Sequence, residues 1–162
     1  MFEGFNESTI GYYQAIRKDN CKNTHKENKM LYFDGVKYPL EELYSELYRY
    51  FSKADGDLLG NKRQCISSAY NDARFCRDAP IKEYFYIRFK LDKVNKKNAP
   101  GFFFDASLTG YNFGLNIYNS DAKGMEKIRE YILDNRNFAK GVIEKFNESG
   151  LLGVRGEKYK RA

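Results

Sequence analysis

Along Tyr84–Leu91 the side chains alternate without a break. Phe85, Ile87, Phe89 and Leu91 fall on one set of positions, and Tyr84, Tyr86, Arg88 and Lys90 on the other. Successive side chains of a strand point to opposite faces, so this pattern calls for a strand with one face buried and the other wet. A helix would scatter the same rings around its axis. The chain must therefore build a sheet, and a half-buried sheet needs a second layer to cover it.

The neighbouring segments suit that demand. Lys93–Pro100 reads as a polar turn, and Gly101–Ser107 and Tyr111–Asn119 as two further strands joined around Thr109-Gly110, an antiparallel meander. Arg63–Ala69 fits another strand, and the tail from Leu151 to Ala162 a short edge strand. The covering layer comes from helical signals on either side. Asn6 or Ser8 caps a first helix with Ile10, Tyr13 and Ile16 on one face, and Thr24 with Glu27 forms a capping-box pattern opening a second helix through Met30 and Leu31. Pro39 opens the clearest helix, whose stripe is Leu40, Leu43, Tyr44, Leu47, Tyr48 and Phe51, broken by Asp55-Gly56-Asp57. After the sheet, Ser120 or Asp121 caps a helix carrying Met125, Ile128, Ile132 and Leu133. A last helix around Asn137–Asn147 uses Phe138, Val142 and Phe146 and ends at Gly150. The expected class is α+β: an antiparallel sheet of about four to five strands, with N- and C-terminal helices packed mainly on one face. With no repeat, low-complexity stretch or linker, residues 1–162 read as one domain.

A chain of 162 residues needs no disulfide or metal to hold a core. Its 14 Tyr and 13 Phe, without Trp, predict many rings half in and half out, because a buried phenol must find a hydrogen-bond partner. Cys21, Cys65 and Cys76 are odd in number and form no C-x-x-C pair, which fits reduced thiols. No apolar run reaches membrane-spanning length, and the N-terminus lacks the basic and apolar regions of a signal peptide, so the expectation is a cytoplasmic protein without a membrane partner.

Chemistry concentrates just before the alternating strand. Asp72, Arg74, Arg77, Asp78 and Lys82 crowd together, and Pro80 prevents a helix from spreading them apart. Arginines on a loop beside a sheet suit phosphate or carboxylate recognition, and the net charge of +6 favours anions over cations. In that reading Arg74 is a bidentate clamp oriented by Asp72. Arg77, Lys82 and Arg88 add charge, Asp78 belongs to the same network, and Tyr84 and Tyr86 form a wall. The competing reading makes the loop a brace, its carboxylates spent on its own arginines. Either way the carboxylates stay ionised beside such cations, which argues against a general acid.

Other candidates are thinner. Cys76 sits between arginines that favour a thiolate, but the sole histidine, His25, lies on another element and in KNTHKENK reads as solvated surface. Asp105, after Phe102, Phe103 and Phe104, is expected to pair with Arg88 or Lys90. No metal-ligand spacing, phosphate loop or dinucleotide fingerprint is present, so neither metal nor cofactor is expected, and no catalytic residue is assigned. Lys82–Phe89 imitates an RNA-binding strand, yet Glu83 and Phe85 occupy its small positions. The first expectation is a small phosphorylated or carboxylated ligand. The second is nucleic acid at Tyr84, Tyr86 and the lysines Lys93, Lys96 and Lys97. The third is a structural or protein-interaction domain.

Several motifs together resemble a known family. They are Phe2, Gly4 and Phe5; Glu27-Asn28-Lys29 before Pro39; Asp72-Ala73-Arg74-Phe75 with Asp78, Pro80 and Lys82; and Gly124, Met125, Ile128 and Arg129. The chain resembles the uncharacterised family of domain of unknown function 2461 over most of its length. That resemblance implies a shared fold and a shared loop, not a reaction. The family more often carries Ser at the place of Cys76 and a slightly longer, Lys-containing run before the proline. Its members continue past the point matching Tyr159–Arg161, which implies a C-terminal piece beyond this sequence.

Overall fold

Asn6 starts the first helix. It is extended, its Oδ1 accepts the Ser8 N–H at 2.9 Å, and Thr9 Oγ1 accepts the Asn6 N–H at 3.1 Å, a reciprocal cap on α1 (Glu7–Lys18). The computed structural model describes residues 1–54, 61–90, 100–117 and 121–150. It divides into two compact units, Met1–Asn119 and Ser120–Ala162. Tyr12, Tyr13 and Ile16 are the buried apolar side chains of α1, whereas Ile10 is half exposed; the inward face is rotated from the expected one.

α2 (Lys22–Glu27) begins before Thr24, so the expected capping box does not form. Cys21 Sγ caps it by accepting the Thr24 N–H, and the Thr24 hydroxyl donates to Asp19 Oδ2 at 2.8 Å. α3 (Lys29–Tyr32) follows a break at Asn28 and widens into a π-helical turn at Phe33–Lys37. The reason lies at Gly35. A Cβ there would stand 2.3 Å from the Thr9 backbone nitrogen, and its carbonyl accepts the Thr9 hydroxyl at 2.6 Å. Only a residue without a side chain lets the turn press against α1.

α4 (Tyr38–Ala54) runs on directly from the π-helical turn, where the Tyr38 N–H donates to Phe33 O, with Pro39 at its second position. Leu40 and Tyr44 are buried, while Leu43, Leu47, Tyr48 and Phe51 pack against the core, as the stripe requires. The sheet has the order β1 (Tyr84–Lys90), β2 (Pro100–Ser107), β3 (Gly110–Ile117), antiparallel throughout. Gly110, at φ 148°, closes the β2–β3 turn. Phe85, Ile87 and Phe89 are buried, and burial of each is worth about 2 kcal/mol. Tyr13 stacks on Phe85, Tyr44 on Phe89 and Phe51 on Phe102, so α1 and α4 cover β1 and part of β2. Phe103 points to the other face, with its ring over Gly114.

The expected strand at Arg63–Ala69 does not form. Asn61 Oδ1 accepts the Arg63 N–H and starts a short helix, α5 (Lys62–Cys65), which buries Cys65. Only single bridges then follow, Ile66 with Ile87 and Tyr70 with Ile81. Among the described residues the sheet has three strands, not four to five. The Asp55–Asp57 break, the turn at Lys93, Lys96 and Lys97, and the tail strand lie outside the described residues.

In the second unit Asp121 Oδ1 accepts the Gly124 N–H at 2.7 Å and caps α6 (Ala122–Asp134). Asn135 separates it from α7 (Arg136–Ser149), which Gly150 ends at φ 61°. Tyr131, Ile132, Leu133, Phe138, Val142 and Ile143 are exposed.

Candidate functional site

The charged loop is a projecting turn on a stapled neck. Asn71 closes the neck: its N–H donates to Pro80 O and its side-chain amide to Ala79 O, both at 2.8 Å. The Lys82 N–H donates to Ala69 O at 2.8 Å. From the α1–α2 connection, Asn20 grips Ile81 through both its backbone N–H and its carbonyl. The Lys82 ammonium donates to Ser68 O at 3.1 Å, to Ser68 Oγ and to Tyr70 O. Partial burial pulls its pKa below the ordinary lysine range, and Cys76 opposes that shift. Lys82, expected as an auxiliary ligand cation, is therefore engaged as a brace.

Beyond the neck every side chain from Asp72 to Asp78 is exposed. Asp72 organises the tip. Its carbonyl accepts the N–H groups of Phe75 and Cys76, and its Oδ1 accepts the Arg74 N–H at 3.0 Å. The guanidinium folds back on the same carboxylate, Nε donating at 3.0 Å and Nη2 at 2.6 Å. Those donors, side-chain ones foremost, hold the Asp72 pKa down to about 2, and the carboxylate raises that of Arg74. Both groups are thus charged, and the Arg74 side chain stays 80% exposed, its Cζ 5.5 Å from the ring of Phe75. Phe75 itself is 80% exposed, with Cys76, Arg77 and Asp78 beside it.

The other proposed residues form a separate group on the outer face of β1. The rings of Tyr84 and Tyr86 stack with centroids 6.1 Å apart, and Arg88 Cζ lies 4.4 Å from the Tyr86 ring. Asp105 takes the Asn112 side-chain amide at 3.1 Å, an interaction that no local pattern in the sequence announces. Register places Tyr111, Phe113 and Leu115 on the helix-facing side with Ala106, Phe104 and Phe102, yet all three of these β3 side chains are exposed, since α1 and α4 stop short of them. The result is an apolar cleft of about 1580 Å³, walled by Phe5, Ile10, Leu47, Phe51, Phe104 and Phe113. Arg74, Arg77, Lys82 and Arg88 do not line it.

His25 is not the solvated residue that its sequence neighbours suggest. It is only 8% exposed, its Nδ1 lies 2.7 Å from the Tyr12 hydroxyl, and its ring meets Tyr32 and Tyr70 edge to face. The lysines around it in sequence hide the fact that its partners come from other elements. Among the described residues no three His, Cys, Asp or Glu side chains gather as a metal site, and no helix is long and apolar enough to cross a membrane.

Compared with known protein families, residues 8–162 match the family described as conserved hypothetical protein, DUF2461. The chain belongs to that family. The DUF2461 match runs through the Asp72–Lys82 loop and the sheet and on into α6 and α7, so the family's sequence pattern takes in both units. No curated protein and no solved structure matches this DUF2461 chain.

Proposed function

We propose that this DUF2461 protein is an anion-binding module that offers Arg74, with Arg77 beside it, to a small phosphorylated or carboxylated ligand. The observation that carries the reading is the posture of Arg74. Asp72 fixes the Nε edge of the guanidinium, while the side chain stays open to solvent. A guanidinium has five N–H donors in a planar fork, so the Nη1 side keeps the geometry for a second, bidentate partner. Preorganisation by Asp72 lowers the entropy lost on binding. The tip as a whole is nearly balanced, Asp72 and Asp78 against Arg74 and Arg77, so recognition rests on directional N–H donation more than on long-range attraction. Binding to this open turn is correspondingly weak.

Thermal-shift assays against phosphorylated and carboxylated metabolites test it. Some compound should stabilise the wild type and lose that effect with Arg74→Ala. Equal stabilisation of both proteins, or of neither, overturns the reading. Nucleic acid is the weaker alternative, because Tyr86 is already flanked along the strand by Tyr84 and Arg88 and offers a base little free ring face. Tight single-strand binding that falls steeply with salt would restore it.

A further inference from the structure

His25 sits where three separate parts of the first unit meet. Tyr12 reaches it from α1 and Tyr32 from α3, while Tyr70 comes from the segment leading into the charged loop. Tyr70 also bridges to Ile81, and its carbonyl receives the Lys82 ammonium. One imidazole thus touches both the helical layer and the neck of the loop.

Neutral His25 suits this place. Whichever tautomer is present, one hydrogen bond joins Nδ1 to the Tyr12 oxygen. A second proton changes the arrangement. Imidazolium only donates, so the Tyr12 hydroxyl must turn to accept, and a full charge enters a buried site. Among the described residues, the groups facing it offer no counter-charge: phenols from Tyr12, Tyr32 and Tyr70, and the like charge of Lys29 on α3. Of the carboxylates in neighbouring segments, Asp19 is engaged by Thr24 and Cys21, and Glu41 by Lys37 and Lys62.

We propose that His25 is an acid-operated release for the Tyr70 side of the 70–82 loop: protonation breaks the Tyr12–His25–Tyr70 cluster and loosens the neck there, while the Asn20–Ile81 pair stays in place. Burial first, and Lys29 second, hold the His25 pKa below its ordinary value, which agrees with the geometry. A histidine harder to protonate folded than unfolded binds fewer protons in the folded state. The stability it contributes is therefore complete above the unfolded value of about 6.5 and is lost as pH falls through the folded one. This device stands whether or not Arg74 binds an anion.

His25 is the only histidine of the chain, so its ring resonances are unambiguous in NMR. The expected result is an imidazole midpoint below about 6.5. In step with it, amide exchange at Asn71 and Lys82, corrected for the intrinsic pH dependence, should accelerate, and His25→Gln should abolish that acceleration. A midpoint at or above the unfolded value overturns the proposal. So does neck protection that stays constant through the titration, or an equal pH response in His25→Gln. If His25→Gln fails to fold, coincidence or non-coincidence of the two wild-type transitions decides alone. Failure of the anion reading shows in the metabolite assay and leaves these measurements unaffected.

Discussion

Asn20 and Ile81 are joined twice: the Asn20 amide donates to the Ile81 carbonyl, and its Oδ1 accepts the Ile81 N–H, each at 2.9 Å. The side chain acts as a strand partner would, pinning the residue where the charged loop returns to β1. Asn20→Ala leaves the Ile81 N–H unmatched and its carbonyl with only the longer bond from the Asn71 amide at 3.3 Å, and should cost about 2 kcal/mol in urea unfolding. Asn20→Asp can accept but not donate, so it should fall between wild type and Ala.

Gly35 offers a sharper test of the helical layer. A methyl group there meets the Thr9 nitrogen and the Ser8 carbonyl carbon, both backbone atoms that cannot swing aside. Gly35→Ala should cost about 3 kcal/mol or prevent folding, with a matching fall in Tm. A wild-type melting curve would mean that α1 and the π-helical turn do not approach this closely.

The alternation of β1 predicts opposite responses at two aromatic positions of one strand. Phe89, buried between Tyr44 and Phe51, should cost about 4 kcal/mol when cut to Ala. Tyr84→Ala, on the wet face, should cost less than about 1 kcal/mol. Chemical denaturation of the two variants checks the register directly.

The tip of the loop carries its own pH signature. Asp72 titrates at about 2, below the ordinary carboxylate value of about 3.9. The Asp72–Arg74 clamp is therefore present above about 3.9 and is lost as pH falls through about 2. The Asp72 carboxyl carbon shift should show that low midpoint in NMR, and Arg74→Ala should raise it toward the ordinary range, the backbone N–H of position 74 still holding it partly down.

Elements whose signal is written in consecutive residues are legible in the sequence alone. Phe85, Ile87 and Phe89 declare a strand, Leu40 to Phe51 a helix face, and Asn6, Asp121 and Gly150 mark helix ends. The strand expected at Arg63–Ala69 fails because its residues are compatible with either state; a side chain at Asn61 and the burial of Cys65 decide for a helical turn. The site divides the same way. That Asp72 and Arg74 share a turn can be read locally, but that Lys82 is consumed by the carbonyls of Ser68 and Tyr70 cannot.

Periodicity, capping and the place of the charged turn are written in the residues alone, since these depend on neighbours within a few positions and on backbone geometry. The burial of His25, the grip of Asn20 on Ile81 and the exposure of Tyr111, Phe113 and Leu115 on β3 emerge only in the folded chain. Each of those follows from segments distant in sequence being brought within contact range, and no local pattern encodes which segments will meet.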